Sequence, residues 1–524
     1  MKSLAADLTH GLMCLLVALY AAMVVVLMRT DAMPVPAFLL LAGGLFALCL
    51  LLSKKLGGLG FNLSAEPDTY SLRAFLFAAG FAFAVLMVYL IAYWPGGFSS
   101  DTMYQWRQID GADSFTDWHP ALHTILLWLI TRVSNSLSLV VALQALCYAL
   151  AVGHLTATLL RWRVPKILCL LTALYLSASP GISNLLIFPW KDCAFAICVL
   201  VLSAQLFALH ASRGAWLGKK RNLIALGVTL CLCAILRHNG IALVLAACVW
   251  LFISFPRFFL RLGGALVTML VLFVLIKGPL YGAFDVEKTQ TRIDELIGLP
   301  LTVLSHIYVE APQSLDADIV EFLEDVAPRE IYTEHHRPGD WNETKWFMGY
   351  IYTNRPYSVP EIFSFTLRTM IKEPALGLEA LGLLWQMPMW PVSDAYWRIA
   401  PHLDPTAEGH GFVKNHQPLL VRVLNALCRY TSHPAFAWAV WLPGFWLMMI
   451  MVFCVLFARQ RPLSALLMPA MLIAYHLATC IMLSSSTDYR FFLSLMMAAP
   501  AALIALMARP AAPDPTVPHI KETV

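Results

Sequence analysis

The chain has 524 residues, 59% of them hydrophobic and 13% charged, with a mean hydropathy of +0.70. A water-soluble protein of this size keeps about 25% of its residues charged because its surface faces solvent, so a soluble globular enzyme is excluded. The formal net charge of +4 is too small to mark a basic nucleic-acid face, and no nucleic-acid partner is expected.

Apolar runs of about 20 residues, the length of helix that crosses ~30 Å of hydrocarbon, recur along the chain. About twelve spans are predicted, at 11–28, 35–53, 74–94, 138–160, 165–180, 191–210, 222–237, 240–256, 263–281, 435–458, 463–483 and 490–508. The first is long and lacks a small-residue cleavage site after it, so it reads as a retained helix. Basic clusters at Lys54/Lys55, Arg161/Arg163/Lys166, Arg213/Lys219/Lys220/Arg221, Arg257/Arg261 and Arg459/Arg461 mark cytoplasmic loops by the positive-inside rule. That puts the N-terminus inside and residues 93–124 outside. The alternation closes only if "PALHTILLWLITRV" (120–133) does not cross, and its length suits an interfacial or re-entrant helix.

The fold class expected is therefore an all-α polytopic membrane protein. Its parts are a transmembrane module at 1–281 containing an outer loop at 95–137, an α-rich outer segment at 282–434, C-terminal spans at 435–508, and a disordered cytoplasmic tail at 509–524. Within the outer segment, "SLDADIVEFLEDV" (314–326) reads as a helix opened by a Ser cap with acidic first-turn residues. "LGLEALGLLWQMPMWPV" (376–392) is apolar enough to lie on the membrane surface, while Glu379 and two prolines argue against a span. "NET" at 342 fits a glycosylation sequon, and the tail "RPAAPDPTVPHIKETV" is Pro-rich. The twelve cysteines are scattered without a CxxC pair, nearly all inside apolar spans, and only Cys428 falls in the outer segment. Core or lipid-facing packing fits them better than disulfides.

Chemistry concentrates at the ends of spans. The stretch "YWPGGFSSDTMYQWRQIDGADSFTDWHPALHT" (93–124) holds Asp101, Asp110, Asp113, Asp117, His119 and His123. A second loop, "SPGISNLLIFPWKDCAF" (179–195), ends in Lys191 and Asp192. "RHNG" (237–240) reads as a tight hairpin whose Gly240 permits the turn, and "SSSTDYRFF" (484–492) brings Asp488, Tyr489 and Arg490. Ionisable groups at a membrane face are expensive to desolvate, so each is a functional candidate. On the topology above they share one level. That level suits a lipid-linked phosphate donor, whose phosphate Arg and Lys neutralise while a carboxylate takes a proton from an attacking hydroxyl. Fixed cations beside a departing phosphate supply a large electrostatic term.

An apolar span, an outer loop with an early Asp, in-plane helices and a further acid opening a later span together resemble the GT-C superfamily of polytopic glycosyltransferases, which use polyprenyl-phosphate sugars. More narrowly, "WPGGFSSDTMYQW", "DWHPALHTILL", "PWKD", "LRHNG", "DYRFF" and "GLPLTVLSHIY" (298–308) resemble a bacterial branch of that superfamily, over roughly residues 74–492. The resemblance implies a GT-C-like bundle in a bacterial inner membrane with its site facing the periplasm. It implies Asp101 as general base, Asp192 orienting the base or a cation, and Lys191, Arg490, Arg237 and His238 as donor-phosphate ligands. Asp117, His119, Tyr489 and Tyr104 are the substrate-binding candidates. The partners implied are a polyprenyl-phosphate-linked sugar donor, a glycan, lipid or protein acceptor, and membrane lipids. The chain lacks a clear DxD or paired acids beside Asp101, so it carries no clear motif for the divalent metal of some members.

Plainer roles stand beside these. Asp101 fits a helix N-cap in "SSDTMYQW", a role compatible with a base. Asp117 and His119 fit a turn held by an Asp–His contact before Pro120. His123 fits interfacial packing or, with His119 and Asp117, a metal site. Lys191 and Arg490 fit interface anchors, His335 and His336 exposed loop residues, and Trp94, Trp190 and Tyr489 the aromatic belt. Two rival functions share the same residues: a transporter or flippase of lipid-linked sugars, and a ligase or polymerase using polyprenyl-diphosphate oligosaccharide. The gathering of polar groups at one face favours a one-sided enzyme over a transporter.

Overall fold

The computed structural model of the protein describes residues 2–27, 35–64, 67–288, 297–341, 357–390, 400–482 and 488–510. Asn342 of the sequon and the tail beyond residue 510 lie outside the described residues. Secondary structure is almost wholly helical. Among the described residues the exceptions are isolated bridges and a two-residue parallel pair, β1 (Phe61–Asn62) with β2 (Ala508–Arg509).

In chain order the membrane module contains α1 (Lys2–Leu27), α2 (Val35–Leu56), α3 (Leu72–Ala92), α4 (Ser100–Ile109), α5 (Ala121–Val133) and α6 (Leu137–Arg161). It continues with α7 (Lys166–Ala178), α8 (Pro180–Leu186), α9 (Lys191–Ala211), α10 (Lys220–Ile235), α11 (Gly240–Ser254) and α12 (Phe259–Leu275). The segment at 282–434 holds α13 (Gly298–Glu310), α14 (Ala317–Val326), α15 (Arg329–His335), α16 (Val359–Lys372), α17 (Pro374–Leu384) and α18 (Pro418–Thr431). The last helices are α19 (Pro434–Trp441), α20 (Pro443–Phe457), α21 (Leu467–Met482) and α22 (Leu493–Met507).

Among the described residues eight helices are long and apolar enough to cross a membrane, nine if α7 and α8, bent by 48°, form one span. The chain is thus multi-pass in character. Part of the difference from the expected count of about twelve is that the helices at 222–237 and 240–256 are short: Lys220–Ile235 and Gly240–Ser254 fall below the length a ~30 Å crossing needs, whereas the predicted span at 11–28 falls on the 26-residue α1. The 120–133 stretch forms α5, whose 13 residues reach about 20 Å, too short to span.

Two spans sit innermost. In α9 83% of the apolar window is buried, and in Tyr489–Met507 78%, against 11% for Pro36–Leu56 and 17% for Pro256–Ala283. The sequence explains the contact between the two inner helices. The run "MMAAPAALIA" in α22 puts Ala498, Ala499, Ala501, Ala502 and Ala505 fully inside, and small side chains let helix backbones approach closely where apolar burial alone gives no drive.

The segment at 282–434 has its own core of Leu301, Leu304, Tyr308, Phe322, Tyr332 and Trp341, among others. Ile319, Phe322, Leu323 and Val326 form the buried stripe of α14, at the i, i+3, i+4, i+7 spacing of an amphipathic helix. Its N-cap is Asp316 rather than a serine, with Ser314 in the preceding 3-10 turn. The Asp316 carboxylate accepts from Lys372 instead of from its own helix. The C-terminal end of the apolar run at 376–392 is tied into the bundle: His476 Nε2 donates to the Pro388 carbonyl at 2.7 Å, and Trp390 lies against Gly444 of α20. Nor is 179–190 an open loop, since Pro180–Leu186 is helical and buried throughout, as its "ISNLLIF" composition favours. All twelve cysteines are free thiols.

Gly240 holds its place for a reason other than a turn dihedral. It is the first residue of α11, and a Cβ there would overlap the Cys233 carbonyl and come within 2.9 Å of Phe195. Gly240→Ala should therefore cost about 1–3 kcal/mol through overpacking, seen as a lower melting temperature of the detergent-solubilised protein. An unchanged melting temperature would show that the α10–α11 corner is looser than this.

Candidate active site

Four chain segments meet at the N-terminal ends of the two inner spans. The loop before α4 approaches first. Gly97 N donates to the Ile187 carbonyl at 3.0 Å, and a Cβ on Gly97 would overlap the Phe188 ring, so the "WPGGF" glycine is needed for this contact. The Phe188 ring stacks on Trp190 with centroids 4.2 Å apart, and Trp190 Nε1 donates to Ser99 Oγ at 2.7 Å. Ser99 is also the N-cap of α4, its hydroxyl accepting from Thr102 N. Asp101 is therefore not the cap. It stands in the first turn of α4, and the Ser99–Trp190 bond sets it opposite Lys191, the first residue of α9.

Asp101 Oδ2 accepts from Lys191 Nζ at 3.1 Å and from Arg490 Nη1 at 2.9 Å. These partners lie 90 and 389 residues away, and the side chains are 21%, 17% and 18% exposed respectively, so solvent still reaches the group. Arg490 is held from three further sides. Its Nε lies 2.8 Å from Asp488 Oδ2, its guanidinium sits 4.8 Å above the Trp190 ring, and Phe491 flanks it at 5.2 Å. Asp488 also caps the turn that carries Arg490, accepting from Arg490 N at 3.0 Å.

Asp192, fully buried in the first turn of α9, accepts from Arg237 Nη1 and lies 3.9 Å from Lys191 Nζ. A carboxylate in a first helical turn is favoured by the exposed amides there. Arg237 is fixed in turn by Asn239 Oδ1 at 2.8 Å and by the Phe491 ring at 4.9 Å. The three acids Asp101, Asp192 and Asp488 thus meet the three bases Lys191, Arg237 and Arg490, and the cluster is formally neutral.

A second group adjoins it. Asp117 accepts from Ala121 N at 3.0 Å, opening α5, and from Lys277 Nζ. Lys277 stands in a π-helical turn, Ile276–Leu280, that ends α12. Pro279 within it lacks the N–H that a regular helix would use, and such turns widen helices locally. His238 Nε2 donates to the Asp117 carbonyl at 2.9 Å. His119 is buried, its Nε2 without a partner among the described residues, and the Tyr104 ring lies 6.5 Å away.

Electrostatics follow from these contacts. Burial opposes a charge on Asp101, but Arg490 and Lys191, with His119 adding, hold its carboxyl well below the usual carboxylate range. Burial, joined by the charge of Lys191, pushes the His119 imidazole down to about 3 against the pull of Asp101, so it is neutral at physiological pH. Burial pushes the Asp488 carboxyl up, opposed by Arg490.

The structure thus brings together Asp101, Lys191, Asp192 and Arg490, with His119 and Tyr104 beside them. Several expectations need correction. Arg237 does not face a ligand: it is buried and committed to Asp192. His238 uses its Nε2–H on a backbone carbonyl. Tyr489 is neither a substrate contact nor a belt residue, because it is 1% exposed and donates to the Val440 carbonyl at 2.8 Å. Trp190 likewise is buried rather than interfacial, whereas Trp94 is exposed. The turn at 117–120 is held by the bonds of Asp117 to Lys277, His238 and the Ala121 amide rather than by a contact between Asp117 and His119. His123 is buried against Gln105, whose amide donates to Nδ1 at 2.9 Å, and no group of three metal-ligating side chains forms among the described residues. Asp110 and Asp113 pair elsewhere, with His410 and Arg107. His336 is paired with His306, its Nε2 3.1 Å from His306 Nδ1, rather than loose in a loop. Sequence reasoning missed Lys277 and the roles of Ser99 and Asp488; a lone cation beside Pro279 at the end of an apolar run was the available signal for Lys277.

Residues 103–328 match a family described as one of unknown function, DUF6020. The match takes in Lys191, Asp192 and Arg237 and begins two residues after Asp101. No curated protein and no solved structure matches the chain.

A carboxyl held low by cations adds stability that is present above about pH 4, the ordinary carboxylate value, and is lost as pH falls through the folded-state value. Wild type is therefore expected to melt above Asp101→Asn at neutral pH, with the gap closing as pH is lowered below about 4. A gap that stays constant to the acid end would remove the Asp101 ion pairs.

Proposed function

We propose that the protein is a membrane glycosyltransferase that moves a sugar from a polyprenyl-phosphate donor to a hydroxyl acceptor at the outer face of a bacterial inner membrane. The observation that carries this reading is the single carboxylate oxygen of Asp101 shared by Lys191 and Arg490 at the ends of the two innermost spans. A polyprenyl tail in the bilayer would present its phosphate at that depth, where two cations with fixed supports neutralise it.

The chemistry then runs through an exchange of partners. Both cations contact the oxygen of Asp101, so an incoming phosphate takes that oxygen's place between them. Asp101, released from its ion pairs, regains basicity and takes the proton of the acceptor hydroxyl. The hydroxyl oxygen forms a bond to the anomeric carbon, and the bond from that carbon to the phosphate oxygen breaks. Its electron pair leaves with the lipid phosphate, whose charge Lys191 and Arg490 carry. A single displacement of this kind inverts the anomeric centre. Asp192 keeps Lys191 in place, Arg237 keeps Asp192 charged, and Asp488 does the same for Arg490. Neutral His119 and Tyr104 line the side from which the acceptor hydroxyl reaches Asp101.

Asp101→Asn should lower transfer by about 10²–10⁴-fold, the range of a lost general base. Binding of a polyprenyl-phosphate sugar should stay equal or tighten, because the variant no longer competes for the cations. Lys191→Ala and Arg490→Gln should instead weaken that binding about tenfold or more, the loss of one charge-assisted contact. Turnover retained in Asp101→Asn, or unchanged binding in both cation variants, would refute the assignment.

A further inference from the structure

The far ends of the same two spans carry a second cluster of cations, and it differs from the first in having no acids among the described residues. From Lys191 to Ala211, α9 is 21 residues long, about 30 Å at the rise of a helix. A cavity of about 340 Å³ opens at that end, lined by Arg213, Ser254, Arg461, Ser464, Arg509 and Pro510, among others. No carboxylate lines it among the described residues.

The arginines are fastened by backbone carbonyls rather than by counter-charges. Arg461, 7% exposed, donates from Nε to Leu506 O at 3.1 Å and from Nη2 to Leu59 O and Met507 O. Arg213 donates from Nη2 to Pro510 O at 3.0 Å. Arg509 donates from Nη2 to the Gly58 carbonyl. A guanidinium has five N–H donors, so Arg213 and Arg509 keep donors beyond these bonds. Arg213 reaches the cavity from a left-handed backbone, φ +50, a conformation side chains other than glycine seldom adopt. Ser254 Oγ is buried with no partner among the described residues. Burial, with the charge of Arg509 adding, pushes Arg461 down to about 10, as expected of like charges held together without an anion.

We infer that this cavity is a binding site for a phosphate group, most readily the headgroup phosphate of an anionic membrane lipid. Arg213 and Arg509 supply paired N–H donors, and Ser254 supplies a hydroxyl. Arginine forks match the oxygens of a phosphate two at a time. Basic pockets between helices at the cytoplasmic face hold anionic headgroups, and the Lys/Arg distribution puts this end of the spans on that side. The site is separate from the Asp101 cluster and stands whether or not the transferase reading does.

The test uses the full chain in a neutral detergent, with melting temperature as the readout. Short-chain phosphatidylglycerol, phosphatidylcholine of the same chain length and inorganic phosphate are titrated separately. Phosphatidylglycerol should raise the melting temperature, and phosphatidylcholine should not. R213Q/R509Q should weaken the apparent affinity about tenfold or more, a loss of about 1.4 kcal/mol, while R213K/R509K keeps part of it and R257Q, outside the cavity, keeps all of it. The single variant R509Q is read in parallel, so that poor folding of the double variant does not decide the outcome. A shift from inorganic phosphate that the double variant loses would assign the site to a soluble phosphate instead of a lipid. No shift with either anion, or a shift undiminished in R509Q and R213Q/R509Q, overturns the proposal.

Discussion

One oxygen atom bears two cations, and the rest of the site is arranged around that fact. Asp101 Oδ2 is 3.1 Å from Lys191 Nζ and 2.9 Å from Arg490 Nη1, in a region where taking ions out of water costs several kcal/mol each. Such a cluster persists only if every charge finds an opposite one and is fixed there. The structure meets both needs, since three acids face three bases and each base has a second support. Lys191 has Asp192, Arg237 has Asn239, and Arg490 has Asp488 and the Trp190 face. Asp192, Trp190 and Asp488 stand at the ends of the two most buried spans, so Lys191 and Arg490 cannot move apart without unpacking α9 from α22.

This explains how much of the site was legible in the sequence. Lys191, Asp192, Asp101 and Arg490 stand at the edges of long apolar runs, where a charge is costly and therefore conspicuous. Their meeting was readable only as a common depth in the membrane, and the pairing itself was not. Ser99 and Trp190 show why. A serine before an aspartate reads as part of one cap, and a tryptophan at a span end reads as a belt residue. The bond between them exists only because Gly97 lets two distant loops touch. Tyr489 fails in the same way: its neighbours in sequence are polar, but its hydroxyl is turned into the bundle toward Val440. Lys277 was hidden by a helix that widens into a π turn, which shifts a side chain by an amount no helical wheel anticipates.

The fold was legible in class and less so in count. Helices of 15 or 16 residues such as α10 and α11 have the composition of spans without the length, and hydropathy does not distinguish the two. The run at 180–186 reads as a loop because of its flanking Ser-Pro-Gly and Pro-Trp. It is helical because Pro180 occupies the first position of a helix, where its missing N–H is harmless. The segment at 282–434 could be seen as helical from the stripe at 319, 322, 323 and 326. Its cap could not, because the acid at that cap is drawn away to Lys372.

The two ends of α9 and α22 make opposite electrostatic choices, and on the proposals above the contrast has a use. At the Asp101 end the cations are already satisfied, so an anion binds only by displacing a carboxylate. Net affinity there is the small difference between two strong interactions, which suits a site that must release a lipid phosphate after each turnover. At the Arg213–Arg509 end the cations are held by carbonyl dipoles that carry no net charge. An anion arriving there displaces no counter-charge, and its full electrostatic attraction counts toward binding, which suits a resident lipid. The same helices can thus hold one phosphate briefly and another persistently, and the difference comes from whether an aspartate stands beside the arginine.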